Sequence, residues 1–178
     1  MRGSIMNFDE IERLAKTFGE VAQDTDAVSV TCESCTGGGI SYAITSVAGS
    51  SAWFDRGFAT YSNDAKRAHL GVRQATLLKW GAVSEQTAAE MVKGAMDRSV
   101  ANVGVSVTGI AGPTGAVPGK PVGTVCFGFA YRLGSVTQVR TVTRHFDGDR
   151  EQVRLQSIAF ALEGLIHEAK VRVGRDQD

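Results

Sequence analysis

Apolar residues along this chain switch repeatedly between a helical and a strand period. Ile11, Leu14, Ala15, Phe18, Val21 and Ala22 form one stripe at helical spacing, which predicts a first helix near residues 7–23. Alternation then predicts a strand over about 27–33, followed by a helix over about 37–48 that Gly49 can cap. Gly57-Phe-Ala-Thr-Tyr61 reads as a second strand, and Asn63 is the expected N-cap of a short helix carrying Lys66. Leu77 and Leu78 fall in another short helical segment before Gly81, and Ser84 is placed to cap a helix with the stripe Ala88, Met91, Val92, Ala95. Val103-Gly-Val-Ser-Val107 has the continuous apolar character of a central strand. Val122–Tyr131 and Val136–His145, separated by Leu133-Gly-Ser135, predict a hairpin. A last helix is expected to begin near Asp149, paired with Gln152, with the stripe Leu155, Ile158, Ala159, Leu162, Ile166. Helices alternating with strands, then a hairpin, then a helix predict an α/β fold: a single-domain three-layer α/β/α sandwich with a mixed, mainly parallel sheet.

At 178 residues the chain is the size of one domain, large enough to bury roughly 70% of its unfolded surface. The expected compact part is 7–171, with residues 1–6 an expression-type leader and 172–178 a polar, frayed tail. Lys plus Arg and Asp plus Glu stand at 19 each, so no basic field favours nucleic acid and no cationic amphipathic stretch favours a membrane surface. No apolar run approaches the ~20 residues of a membrane-spanning helix. A cytoplasmic location is expected.

Three cysteines are too few for a disulfide scaffold. Cys32 and Cys35 form a C-x-x-C, but only Cys126 and the scattered His69, His145 and His167 could complete a zinc site, and none has ligand spacing. A redox pair would open a helix, whereas Cys32 alternates with Val28 and Val30 inside the strand pattern. It reads as a small buried apolar residue. No metal and no cofactor is expected.

The chemistry concentrates in Val28-Ser-Val-Thr-Cys-Glu-Ser-Cys-Thr-Gly-Gly-Gly-Ile-Ser-Tyr42, where a strand runs into Ser34 and then three glycines. That order sets a hydroxyl at a strand's carboxyl end and directs the amides of Thr36, Gly37 and Gly38 outward at a helix start, an anion or oxyanion site. A nucleophile beside such donors is the skeleton of acyl transfer. A tight turn that needs glycine for steric reasons explains the same residues. Tyr61, Lys66 and Thr108 gather at neighbouring strand ends if the strands are parallel, where open α/β sheets bind ligands. A lysine serves as base for a serine when its pKa falls to roughly 7–8, and a tyrosine can relay the proton. Singly, each has a plainer explanation: a core-edge aromatic, a solvated helix surface, a turn residue. No histidine lies near these motifs, so a Ser-His-Asp triad has no local support.

A second glycine-rich segment, Thr108 to Thr124, contains Gly119-Lys120, yet Thr114 stands where a P-loop needs Gly and Pro121 where it needs Ser or Thr. Neither loop has G-x-G-x-x-G spacing. What remains is a loop at the carboxyl end of a central strand.

Taken together, Glu33-Ser-Cys-Thr-Gly-Gly38, Ala48-Gly-Ser-Ser-Ala-Trp-Phe54, Gly57-Phe-Ala-Thr-Tyr-Ser-Asn63 with Lys66, Gly81-Ala-Val-Ser84, Thr108-Gly-Ile-Ala-Gly-Pro113, Lys120-Pro-Val-Gly-Thr124 and Gly148-Asp-Arg150 resemble the carboxy-terminal domain of the CinA competence/damage-inducible family. The resemblance spans roughly residues 8–170 in matching order, and that family includes stand-alone nicotinamide-nucleotide amidases. It implies hydrolysis of nicotinamide mononucleotide to nicotinate mononucleotide and ammonia, and so a small-molecule nucleotide substrate. A homo-oligomer is also expected. Carried over by position, Ser34 would be the nucleophile and Lys66 its base, assisted by Tyr61. Ser51, Thr108 and Arg150 match positions expected to contact substrate or organise the site, and Thr36, Gly37, Gly38 and Gly109 beside them are also expected to bind substrate. From its own place at the start of the last helix, behind Gly148 and Asp149, Arg150 is expected to hold the phosphate, with a surface ion pair to Asp149 or Glu151 as the rival role. Cys32 departs from the small apolar residue usual there, in keeping with burial. An amino-terminal domain linked to ADP-ribose pyrophosphatase activity in many members has no match here, so that activity is not expected. Two rivals stay open: a non-catalytic nucleotide-binding or regulatory module and, more distantly, a thiol oxidoreductase.

Overall fold

In the computed structural model, which describes residues 5–175, the elements run α1 (Phe8–Thr25), β1 (Ser29–Glu33), α2 (Gly39–Thr45), a 3-10 turn (Ser50–Ala52), β2 (Phe54–Ala59), α3 (Asn63–Leu70), α4 (Gln74–Trp80), α5 (Glu85–Asp97), β3 (Val103–Gly109), β4 (Thr124–Leu133), β5 (Val136–His145) and α6 (Arg150–Arg175). The sheet order is β2-β1-β3-β4-β5, with β2, β1 and β3 parallel and the β4–β5 hairpin antiparallel. One domain with a five-stranded mixed sheet between helical layers is the architecture the periodicity predicted. In register, Cys32 of β1 lies between Phe58 of β2 and Ser106 of β3, so the three parallel strands end together.

The two faces carry separate cores. Ile11, Leu14 and Phe18 of α1 and Ile40 and Ile44 of α2 meet Val103, Val105, Phe127 and Phe129 of the sheet and Leu162 and Leu165 of α6. On the other face Val30, Cys32 and Ala130 pack against Leu70, Leu77, Met91, Val92, Ala95 and Met96 from α3, α4 and α5. Each buried Val, Leu, Ile, Phe or Met among them contributes about 1.5–3 kcal/mol of transfer free energy. Ser84 caps α5 as expected, accepting from Thr87 N at 3.1 Å, and Asn7 caps α1, accepting from Glu10 N at 3.0 Å.

Several boundaries differ from the sequence reading. Helix α2 starts at Gly39 because Gly37 (φ 60°) and Gly38 (φ 99°) hold left-handed conformations that a right-handed helix excludes. Strand β2 begins at Phe54 and stops at Ala59, so Tyr61 lies beyond it, and Ser62 rather than Asn63 caps α3 by accepting from Ala65 N at 3.0 Å. Gly49 precedes the 3-10 turn instead of closing α2. Asp149 Oδ1 accepts from Gln152 N at 2.9 Å, but the Gln152 side chain bonds both backbone groups of Met6 instead of returning to the cap. Met6, assigned to a leader, therefore belongs to the fold. The frayed tail is likewise corrected: α6 continues to Arg175, and Arg172 is buried and donates to Thr25 O. Residues 1–4 and 176–178 of those two expected segments lie outside the described residues.

Candidate active site

The carboxyl ends of β1 and β3, the turns after β1 and β2, the first turns of α3 and α6 and the approach to α5 enclose a pocket of about 210 Å³. Its lining includes Ser34, Tyr61, Asn63, Lys66, Thr108 and Arg150.

At its base lie Ser34 and Lys66. Ser34 is fixed by its own amide, which donates to Val107 O at 2.9 Å and so extends the β1–β3 pairing one residue past the strand. Lys66, in the first half of α3, turns inward rather than to solvent and is 1% exposed. Its Nζ donates to Ser34 Oγ at 3.1 Å and to Thr60 O at 2.9 Å. Among the described residues no carboxylate pairs with it. Burial, which disfavours the ammonium, lowers its pKa below the ordinary 10.5. The charges that would oppose this are the thiolates of Cys35 and Cys32. Burial pushes the Cys35 thiol up to about 12 and Cys32 well above its usual range, so both stay protonated and neutral near pH 7. The solvated-surface explanation of Lys66 is thus overturned.

The turn that presents Ser34 is braced from two sides that the sequence reading did not identify. Glu33, 1% exposed, accepts from Thr36 Oγ1 (2.7 Å), Ile40 N (2.8 Å), Ser41 N (3.1 Å) and Ser41 Oγ (2.8 Å). A carboxylate from the same segment therefore occupies the amino end of α2. That corrects the expectation that this helix start, with Thr36, Gly37 and Gly38, is open to a substrate anion. Thr36 is fully buried, Gly37 N donates to Ser34 O at 3.0 Å, and none of the three lines the pocket. The amides of Cys35 and Thr36 donate to no group among the described residues. Gly57 permits this packing, since a Cβ there would stand 2.2 Å from Ser41 Oγ. From the other side Arg154 donates through Nε to Cys35 O and through Nη2 to Thr36 O, both at 3.2 Å.

Arg150 and Tyr61 form the exposed rim. Arg150 Nη2 donates to Tyr61 Oη at 3.0 Å, and Nη1 donates to Gly112 O at 2.8 Å. No ion pair joins Arg150 to Asp149 or Glu151 among the described residues, so its role is not that of a surface ion pair. Tyr61 makes no hydrogen bond to Ser34 or Lys66. Arginines at positions 150 and 154 oppose the dipole of the helix they begin, and this unfavourable sign was the sequence signal that both serve something across the cleft. Thr108 lines the pocket beside Gly109, but its hydroxyl donates to Ala82 O at 2.8 Å and thereby ties down the segment leading to α5. Ser51 is not brought to the site. It is exposed in the 3-10 turn before β2, at the amino end of the sheet, a full strand length of roughly 15 Å or more from Ser34.

The C-x-x-C does not act as a unit. Cys32 belongs to the core under α5 and Cys35 to the core under α1 and α6, on opposite faces of the sheet, and both thiols are free. Among the described residues there is no His/Cys/Asp/Glu cluster able to hold a metal ion and no helix long and apolar enough to cross a membrane.

Comparison with known proteins agrees with this architecture. A nicotinamide-nucleotide amidohydrolase PncC of Enterobacter agglomerans is 57% identical over 78% of this chain and 84% of its own length. The PncC of Escherichia coli strain K12 is 47% identical over 90% of this chain and 95% of its own length. A crystal structure of a CinA superfamily protein from Klebsiella pneumoniae superposes with a TM-score of 0.85 at 34% identity, covering 90% of this chain and 98% of that one. The CinA C-terminal domain profile matches residues 11–169, and the chain belongs to that family.

Proposed function

We propose that this chain hydrolyses the carboxamide of nicotinamide mononucleotide to nicotinate mononucleotide and ammonia, with Ser34 as nucleophile and Lys66 as general base. The observation that carries the chemistry is the 3.1 Å contact between Ser34 Oγ and a buried lysine that has no carboxylate partner. A neutral amine in that position can accept the Ser34 proton, reversing the direction of the hydrogen bond. A non-catalytic nucleotide-binding module gives no reason to bury a lysine without a counter-charge. The substrate class follows from the relatives named as nicotinamide-nucleotide amidohydrolases at 57% and 47% identity.

Ser34 Oγ attacks the carboxamide carbon while its proton passes to Lys66 Nζ. The amide of Cys35, the residue after the nucleophile and part of the pocket lining, stabilises the resulting oxyanion. The carbon–nitrogen bond breaks, Lys66 returns the proton to the departing nitrogen, and ammonia leaves an ester on Ser34. Water attacks that ester with its proton taken by Lys66. The ester bond to Ser34 breaks, Ser34 is reprotonated, and the carboxylate product departs. Arg150 and Tyr61 at the rim receive the phosphate: Tyr61 Oη accepts from Arg150 and keeps its own proton to donate.

The substrate reading is tested by ammonia release from nicotinamide mononucleotide, nicotinamide riboside and free nicotinamide, side by side. Fastest turnover per mole at low concentration on the mononucleotide is expected. Equal turnover of all three would remove the nucleotide from the reading.

A further inference from the structure

Thr60 sits between the two residues just assigned the chemistry. Its amide donates to Glu33 O at 2.8 Å, and its carbonyl accepts from Lys66 Nζ at 2.9 Å. Its side chain is 1% exposed, yet Oγ1 has no hydrogen-bond partner among the described residues. Other buried hydroxyls on these parallel strands are all committed. Ser29 donates to Trp53 O at 2.7 Å, Thr31 pairs with Ser41 at 2.7 Å, Ser106 donates to Ala88 O at 2.6 Å, and Thr108 to Ala82 O at 2.8 Å. An orphan hydroxyl sealed from water is costly, so it calls for an explanation in the chemistry nearby.

Lys66 supplies one. As a neutral amine it has one lone pair and two N–H groups. With the lone pair toward the Ser34 hydroxyl and one N–H on Thr60 O, one N–H is left over. After taking the proton it carries three N–H groups, and at 1% exposure it has little water to receive the third. The pocket then needs another acceptor beside Thr60 O. A buried acceptor without a partner is present on the same residue, the Thr60 hydroxyl.

We infer that the Thr60 hydroxyl is a positioning group for Lys66, accepting a hydrogen bond from the ammonium that forms when Lys66 takes up a proton. This rests on the reading of Lys66 as the base. The titratable groups facing Lys66 are the Cys32 and Cys35 thiols from β1 and its turn, with Tyr61 and Arg150 across the pocket. On α5, packed against α3, Glu90 is bonded to Arg73 and Thr76, and Arg98 donates to the carbonyls of Leu70 and Gly94. None of these supplies a further acceptor to the amine.

Thr60→Val keeps the branched shape and removes only the hydroxyl, and Thr60→Ser restores it. Two readouts separate the coupling from the amidase reading. The Lys66 side-chain resonance in protein labelled with 13C-lysine, identified by its loss in Lys66→Arg, is titrated in each form. Steady-state ammonia release from nicotinamide mononucleotide is followed against pH. The expected result is that Thr60→Val melts no lower than wild type and its Lys66 titrates at lower pH. On its high-pH plateau, where Lys66 is neutral in both forms, kcat falls by up to about tenfold with little change in KM, the limit set by about one pKa unit of lost ammonium stabilisation, and Thr60→Ser recovers wild-type behaviour. Identical Lys66 titration in wild type and Thr60→Val overturns the inference, as does a Thr60→Val protein that loses its fold or a Thr60→Ser protein that does not recover. Should wild type release no ammonia while the titration still moves, the amidase reading fails and the coupling stands. Should ammonia be released while the titration does not move, the coupling alone fails.

Discussion

The two ends of the parallel strands use their polar groups in opposite ways. At the amino end Asn102 accepts from Val28 N at 2.8 Å and donates to Asp26 O at 2.9 Å, Arg132 N donates to Asn102 O at 2.8 Å, and Ser29 binds Trp53 O. Apart from the Trp53 indole nitrogen, these groups are matched donor to acceptor. At the carboxyl end, a few residues along the same strands, a lysine is buried without a carboxylate, a threonine hydroxyl has no partner, and an arginine faces a pocket with only a phenol and a carbonyl to bind. Full satisfaction makes an edge that only holds the fold together. Deliberate shortfall makes one that has capacity left for a substrate, at a cost in stability.

Removing the proposed nucleophile breaks the contrast most completely. Ser34→Ala is expected to lower kcat by about 10⁴-fold or more while the melting temperature stays near that of wild type, because the hydroxyl has a single side-chain partner. Thermal melting beside an ammonia assay checks both halves.

Replacing the proposed base comes next. Lys66→Arg is expected to be nearly as inactive as Lys66→Ala, since a guanidinium keeps the charge but does not give up its proton. Lys66→Met tests the stability cost. The folded pKa of Lys66 lies below its unfolded value of 10.5, so between the two the unfolded chain binds the proton that the folded chain releases. Wild-type stability attributable to this group therefore rises with pH across that window, and the cost is full below it. Lys66→Met is accordingly expected to melt higher than wild type at pH 7, by about 2–4 °C for each kcal/mol of desolvation relieved, with the gain fading as pH approaches 10.5. A gain that grows with pH would contradict the sign.

Arg150→Ala is expected to raise KM for nicotinamide mononucleotide by about a hundredfold, the loss of a charge-assisted contact, while leaving nicotinamide riboside kinetics little changed. Equal losses on both substrates would make Arg150 a general organiser of the rim through Tyr61 and Gly112.

At the amino end the pattern reverses. Asn102→Ala is expected to cost about 2 kcal/mol, seen as a melting point lower by several degrees, with kcat and KM of the remaining folded enzyme unchanged. Smallest of all, Cys32→Ala is expected to keep wild-type kcat and Cys35→Ser measurable activity, both insensitive to chelators and to disulfide reductants. The two thiols face different cores, and burial holds each in its protonated form.

What the chain disclosed on reading follows from how local the information is. Ser34 was legible because alternation marks where β1 ends and glycines mark where the helix cannot yet begin. Lys66 was legible as a candidate because its distance from the β2 pattern put it one short turn beyond a neighbouring strand end. Its burial was not, since that depends on α3 lying over the sheet beside α5. The helix-start amides were misassigned because nothing local says that Glu33 folds back onto Ile40 and Ser41. Arg154 grips the Ser34 turn from more than a hundred positions along the chain, and no short-range period reports such a contact. Ser51 shows the reverse error: a matching motif fixes its place in the sequence, whereas the parallel β1–β2 register puts it at the opposite end of the sheet. The leader and tail failed for the same reason, since Met6 and Arg172 are held by Gln152 and Thr25 from the far end of the chain.

The central proposal is that Ser34 and the buried Lys66, acting once it has lost its proton, together hydrolyse a nucleotide amide. Its most direct test is the pH dependence of kcat/KM for ammonia release from nicotinamide mononucleotide, measured from pH 6 to 10 on wild type, Ser34→Ala and Lys66→Arg. The expected wild-type profile rises with pH through a single ionisation below 10.5, the loss of the Lys66 proton, while both variants stay at background throughout. Wild-type turnover that persists in either variant, or a wild-type profile that falls across that range, would contradict the account.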